Sequence, residues 1–254
     1  MSKLCIVIGQ LNFLVGDVAG NCEKILEALT QAKKEFSAQL LVVPELALTG
    51  YPPEDLLLRE DLHLQIEAAI ERLKKATSNI ALLMGYPDKT KQGLFNSAIY
   101  LYQQQVQEIY HKRHLPNYGV FDEKRYFQQG QKAKVIDCFG VPLGIIICED
   151  LWQPQPYQDT VAQGAKVIVS LNASPFDIHK VNQRQQITKQ RIQVGQVPII
   201  YAHCIGGQDE LVFDGGSFAM NQQGEVTHQG KFYQTQLLPI HLQYQQQQVQ
   251  LLPA

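Results

Sequence analysis

An α/β layered fold built on two sheets is predicted from three features of this 254-residue sequence. The opening forty-odd residues read strand, helix, strand, a unit that favours parallel pairing. Between residues 80 and 110 the strand patterns crowd together, which suggests hairpins and antiparallel additions. About a dozen short strands against four or five helices is more than one twisted open sheet usually carries. With 45% hydrophobic and 18% charged residues, the composition is ordinary globular material. One α/β domain of this size buries roughly 70–75% of its unfolded surface.

In order, residues 4–9 form a short apolar run and a central strand. Asn21 is expected to cap a helix whose apolar face is Ile25, Leu29, Ala32 and Phe36. Leu40-Leu-Val-Val43 is a second buried strand, ended by Pro44-Glu45. Two prolines make 51–55 a loop, and Leu62, Ile66, Ala69, Ile70 and Leu73 mark a second helix. Strands follow at 80–86, 96–102 and 106–110, with turn material at 88–93 and glutamines at 103–105. Residues 112–131 are polar, aromatic and irregular; loops this long are usually functional or disordered, and the aromatics argue against disorder. In the run from Val141 to Ile147, three consecutive isoleucines lack alternation, so it reads as a strand buried on both faces. It stops abruptly at Cys148-Glu149-Asp150. A helix near 157–163, a strand at 167–171, a glutamine-rich helix at 180–195 and a strand at 198–202 come next. Short strands with Gly-rich turns fill 211–243, and the glutamine run 245–248 reads as the start of a linker or an unanchored end.

The net charge of −2 argues against a broad electrostatic footprint for nucleic acid. No apolar run approaches the roughly 20 residues of a membrane helix. The amino terminus enters a strand pattern without a signal-peptide h-region. Five cysteines (5, 22, 138, 148 and 204) without a CxxC pair suggest neither a disulfide framework nor a zinc site, and the expected compartment is a reducing cytoplasm. No metal site is expected.

Cys148 stands where an open α/β sheet gathers its chemistry, at the carboxyl end of a rigid strand. Taken alone it also fits a core cysteine, since free thiols are often buried. A cysteine hydrolase needs a base for the thiol proton and a positive group near the developing oxyanion. His111 and His114 lie in a basic cluster and His203 follows Tyr-Ala at a strand end, so no histidine has a telling setting. The Gly-x-Cys-x-Gly elbow of triad-type amidotransferases is missing, because Cys148 lies between Ile147 and Glu149. Glu45, directly after a strand, is the carboxylate alternative, with a solvated loop residue as the competing reading. Lys112 closes the 106–110 strand, and as a bare charge cluster it would be a solvated face. Three strand ends supplying base, cation and nucleophile nevertheless form a coherent site.

Pro44-Glu45, Lys112-x-x-Leu115-Pro116 and Cys148-Glu149-Asp150 resemble the Glu–Lys–Cys triad of the nitrilase (carbon–nitrogen hydrolase) superfamily. Within it, Glu45-Leu-x-Leu-Thr-Gly-Tyr-Pro-Pro-Glu-Asp-Leu, His114-Leu-Pro-Asn-Tyr-Gly-Val-Phe-Asp-Glu-x-Arg-Tyr-Phe127 and Asn172-Ala-Ser-Pro-Phe176 are similar to the glutaminase domain of glutamine-dependent NAD synthetases. The resemblance runs in order from about residue 3 to 243. It implies a four-layer α-β-β-α sandwich, with Cys148 as nucleophile, Glu45 as base and Lys112 on the oxyanion. It also implies that Tyr118, Ser174 and Lys180 contact L-glutamine, and that Glu123 is an extra glutamate near the lysine, outside the triad. Residues 1–243 would be the glutaminase domain and 244–254 a tail or linker toward an absent synthetase domain. That domain would use ATP and deamido-NAD with Mg; this chain itself would need no cofactor. The nearest thing to an ATP-pyrophosphate loop, Asp214-Gly-Gly-Ser217, lacks the following Asp-Ser and reads as a turn. L-glutamine, a synthetase domain and further copies of the chain are the expected partners, without nucleic acid or membrane. A free-standing amidase acting on another amide and a catalytically silent binding module are the alternatives.

Overall fold

Two sheets stack face to face, and each carries helices on its outer side. The computed structural model describes residues 2–252. The first sheet has seven strands in the order β15-β14-β1-β2-β3-β4-β5. These are β1 (Ser2–Gln10), β2 (Leu40–Val43), β3 (Ala81–Thr90), β4 (Gly93–Tyr102), β5 (Gln105–His111), β14 (Gln236–Gln245) and β15 (Gln248–Leu251). The β1, β2 and β3 trio is parallel and the rest antiparallel. The second sheet has six strands in the order β13-β12-β9-β8-β7-β6. They are β6 (Lys134–Cys138), β7 (Val141–Ile147), β8 (Val167–Asn172), β9 (Ile199–His203), β12 (Phe218–Met220) and β13 (Val226–Gln229). Its parallel centre is β7-β8-β9. A separate hairpin joins β10 (Ile205–Gln208) to β11 (Leu211–Asp214).

Strand alternation sorts the core into three leaves. Ile6, Ile8, Leu40, Val42 and Leu83 of the first sheet meet Ile145, Ile147, Val169 and Leu171 of the second. Their neighbours Val7, Leu41, Val43, Leu82 and Met84 turn the other way, onto Ile25 and Leu29 of α1 (Val18–Phe36) and Leu62 and Ile66 of α2 (Glu60–Ala76). Ile146 and Ile168 face outward onto Tyr157 of α4 (Pro154–Ala162) and Ile192 of α5 (Lys180–Gly195). Helix, sheet, sheet, helix is therefore the layer order. Strands covered on both faces need no polar side, which is why the central ones read as continuous apolar runs. No helix of the described residues is long and apolar enough to cross a membrane.

Two local expectations are corrected. The cap of α1 is Asp17, whose carboxylate accepts the Gly20 N–H at 2.9 Å. Asn21 sits one turn further in, where its amide exchanges hydrogen bonds with the Leu14 backbone and reaches the Leu48 carbonyl. It thereby clamps the turn that follows β2. The glutamine run 245–248 is not a loose end. Gln246 and Gln247, at φ 51° and 65°, make the tight turn between β14 and β15, and Val249 and Leu251 enter the inter-sheet core. Composition hid the Gln-Val-Gln-Leu alternation, which is a strand pattern. Residues 253 and 254 of the expected tail lie outside the described residues.

Candidate active site

Glu45 sits on the turn that follows β2. That turn leans hard on β3: a Cβ built on Gly85 would lie 2.4 Å from the Leu46 nitrogen and 2.6 Å from the Glu45 Cα. Gly85 also donates its N–H to the Pro44 carbonyl and accepts from the Leu48 N–H. Only a residue without a side chain lets the two backbones approach so closely. Gly85→Ala is accordingly expected to destabilise the protein by about 1–3 kcal/mol, read from denaturant midpoints at constant m. An unchanged midpoint would mean the turn carrying Glu45 can retreat freely.

Lys112 lies one residue beyond β5, its N–H bonded to the Asn96 carbonyl at 2.8 Å. Its ammonium, fully buried, donates to Glu45 Oε1 at 2.6 Å and to Glu123 Oε1 at 2.8 Å. Asn96 of β4 points its Nδ2 at the same two carboxylates, 2.8 Å from Glu45 and 3.4 Å from Glu123. The Ala173 N–H closes on the other Glu45 oxygen at 3.0 Å, and the Tyr51 hydroxyl donates to Glu123 at 3.0 Å.

Cys148 follows β7 directly and caps the short helix α3 (Glu149–Trp152). Its backbone stands at φ 43°, ψ −96°, a conformation that costs on the order of 1–3 kcal/mol in a residue with a side chain. Flanking bonds hold it there: Cys148 N–H to the Leu171 carbonyl, and Leu151 N–H to the Cys148 carbonyl, both at 2.9 Å. The carboxylate of Asp150 locks the two sheets together beside it. Asp150 accepts the Ile147 N–H, the Tyr110 hydroxyl and the N–H groups of Arg113 and His114. One buried side chain thus fixes the strand end before Cys148 against the Tyr110 side chain and the backbone that follows Lys112.

Burial and the Glu45 carboxylate push the Cys148 thiol well above its ordinary range, with Lys112 pulling the other way. The resting sulfur is a thiol, and a base must act when it attacks. Burial alone would lower the Lys112 pKa, but Glu123 and Glu45 outweigh it and hold the ammonium well above its usual value. Burial raises Glu123 to about 7 against the pull of Lys112. His203, buried and near Arg184, is held well below the usual histidine range and stays neutral. Its ring nitrogen Nε2 lies 3.1 Å from the Ser174 nitrogen and 2.9 Å from the Ser174 oxygen, a packing role.

All six residues singled out in the sequence lie at this one end of the sandwich. Ser174 is buried just past β8, next to Ala173. Arg184 of α5 fixes that turn, donating to the Ser174 and Pro175 carbonyls while pairing with Asp214 at 2.7 Å. Lys180 opens α5 with its ammonium 4.6 Å above the Trp152 ring, four residues past Cys148. Tyr118 is exposed, its hydroxyl donating to Glu149 Oε2 at 2.8 Å. A cleft of about 590 Å³ runs between 114–129 and α3, lined by His114, Pro116, Tyr118, Lys124, Glu149 and Gln153. Asp214 to Ser217 is a buried turn, its Ser217 N–H bonded to the Gln10 side chain. Asn96, Tyr51, Asp150 and Arg184 were not singled out. Tyr51 and Asp150 stood inside quoted motifs, whereas Asn96 and Arg184 carried no local signal.

Comparison with known proteins sets this geometry in a family. The carbon–nitrogen hydrolase model matches residues 6–249. Glutamine-dependent NAD(+) synthetases of Xylella fastidiosa and Thermotoga maritima are 43% and 37% identical over 225 and 246 residues. Those matches cover 88% and 95% of this chain but 41% and 42% of the relatives, so the chain spans less than half their length. The solved glutamine-dependent NAD+ synthetase of Acinetobacter baumannii superposes with a TM-score of 0.94 at 33% identity, over all of this chain and 48% of that one. An amidase from Nesterenkonia superposes with a TM-score of 0.85 at 27% identity, over 94% of this chain and 90% of that one. The chain belongs to the carbon–nitrogen hydrolase family.

Proposed function

We propose that this protein hydrolyses the side-chain amide of L-glutamine through a thioester on Cys148. The observation that carries this reading is a buried Glu45–Lys112 pair set beside a protonated cysteine at a strand end. Glu45 takes the thiol proton as sulfur bonds to the amide carbon. Lys112 donates to the oxygen on which negative charge develops. The C–N bond then breaks, Glu45 returns the proton to the departing nitrogen, and ammonia leaves. Water attacks the γ-glutamyl thioester, Glu45 again accepting a proton, and glutamate is released with the thiol restored. Metal and cofactor play no part in these steps.

Recognition is assigned to Glu149 and Tyr118, which line the cleft, and to Lys180 and Ser174, which lie outside its lining. Lys180 suits the substrate's α-carboxylate, and Glu149, steadied by Tyr118, suits its α-ammonium. Ser174 lines the turn beside Glu45. Lys180→Ala is expected to raise KM roughly tenfold or more, the worth of one charge-assisted bond, with kcat nearly unchanged. A fall in kcat at constant KM would remove Lys180 from substrate binding.

The ammonia would serve the ATP-dependent amidation of deamido-NAD, carried out with Mg by a synthetase region outside this sequence. The likeness to proteins more than twice as long supports that division. Residues 2–252 would then act as the glutaminase unit, within a homo-oligomer. A reducing cytoplasm suits five free, buried thiols. A second reading, an amidase acting on another amide, draws on the Nesterenkonia protein, of which this chain spans nearly the whole length. Ammonia release from glutamine, asparagine, acetamide and propionamide separates the two. Preference for glutamine supports the first; preference for a simple aliphatic amide supports the second, and silence on all four rejects both.

A further inference from the structure

We propose that Asn96 is a positioning residue that directs the negative charge of the paired carboxylates onto Glu45. The inference rests on the catalytic reading of Glu45 given above. One ammonium, Lys112, serves two buried carboxylates, Glu45 and Glu123. Two anions on one cation in a site closed to water are costly, so the site tends to retain a proton. The proton must then settle on one partner, and a base is useful only if it is the partner left ionised.

The donors around the two carboxylates differ. Glu45 receives Lys112 Nζ at 2.6 Å, Asn96 Nδ2 at 2.8 Å and the Ala173 N–H at 3.0 Å. Glu123 receives Lys112 Nζ at 2.8 Å and the Tyr51 hydroxyl at 3.0 Å, while Asn96 lies 3.4 Å away. Lys112 and Asn96 both touch the two carboxylates, and Asn96 leans toward Glu45 by 0.6 Å, the difference of those two distances. An amide offers two hydrogens and no charge, so it can rank two carboxylates without neutralising either. Its orientation is set by its surroundings, because a flipped amide would face its oxygen toward both carboxylates. Asn96 is fully buried in β4, its backbone held by the Lys112 N–H bonded to its main-chain carbonyl. The arrangement leaves Glu123 as the natural holder of the shared proton.

The titratable and charged groups facing Glu45 are Lys112, Glu123, Cys148, Tyr51, Tyr201 and Cys204. Burial keeps the tyrosines and Cys204 protonated across the neutral range. The acid limb of reactivity therefore reports the carboxylate pair.

The test measures how fast iodoacetamide alkylates Cys148 between pH 5 and 9, alongside kcat/KM for glutamine, in wild type, Asn96→Ala and Asn96→Ser. Removing a donor to the ionised form makes Glu45 easier to protonate, so the acid limb should move upward by about one pH unit in both assays. In a Glu123→Gln background, where no second carboxylate competes, the Asn96→Ala shift should shrink severalfold. An amide that merely braced β4 would lower rates at every pH and leave the limb in place, which overturns the proposal. If neither Asn96 variant folds, Glu123→Gln alone decides: the limb should move downward, and an unmoved limb means no charge is shared for Asn96 to direct. Should wild type hydrolyse no glutamine while its alkylation limb still shifts with Asn96, the substrate reading fails and this inference stands.

Discussion

Cys148→Ala is expected to bring ammonia release from glutamine to background, a loss on the order of 10⁴-fold or more. Every other group of the site would remain. Glu45, Lys112, Glu123 and Asn96 bond to one another and not to the sulfur, so the charge network survives the substitution. What disappears is the atom proposed to form the thioester, and nothing beside it can take over. Glu149 is next in the chain, but its carboxylate is engaged with Tyr118. Stability should change by only about 1 kcal/mol, the cost of one small buried group. An alanine must still adopt φ 43°, so the backbone strain at this turn persists. The pairing of near-total loss of turnover with a nearly unmoved melt is the signature sought. Residual turnover above a hundredth of the wild-type rate would end the nucleophile assignment.

The position of Cys148 was legible because its strand is covered on both faces. A short run of isoleucines with no polar alternation reads as a strand buried on both faces, and such a strand of an α/β sheet ends where chemistry gathers. The two-sheet layering was legible for a related reason. Parallel and antiparallel signals in one chain, with too many strands for one sheet, leave few architectures. Edge elements were harder to read. β6 and β10 are short and pack on one side, so Lys134–Cys138 and Ile205–Gln208 gave no run long enough to stand out. At β15 a glutamine-rich composition masked the alternation that places Val249 and Leu251 in the core.

The site divides the same way. Glu45, Lys112 and Cys148 each sit at the end of a readable strand, so one argument found all three. Asn96 lies within β4, fifty-one residues after Glu45 and sixteen before Lys112, with no local pattern that links them; only the β3–β4–β5 pairing carries it to Lys112. Arg184 is a buried cation on a helix that looks polar all round, and its partner Asp214 is thirty residues away. Contacts that cross elements leave no local pattern, whatever their weight in the site.

Lys112→Met is expected to act twice, on rate and on stability. Loss of the group proposed to meet the developing oxyanion should lower kcat by ~10²–10³-fold, with KM for glutamine little changed. The same substitution leaves Glu45 and Glu123 buried without their cation, and breaking such a pair typically costs about 3–5 kcal/mol. The pH dependence gives the effect a sign. Glu123 is already raised to about 7 in the folded protein, so between the unfolded value near 4.5 and 7 the folded state binds more protons than the unfolded one. Wild-type stability therefore has a component that falls as pH rises through that window. Removing Lys112 takes away the pull that opposes burial at Glu123, which extends the window upward. Lys112 itself stays charged well above neutrality, so its own titration lies outside this range. The gap in unfolding free energy between wild type and Lys112→Met should widen from pH 5 to pH 8 in urea melts. A gap that stayed constant or narrowed would mean that solvent, and not Lys112, neutralises the two carboxylates.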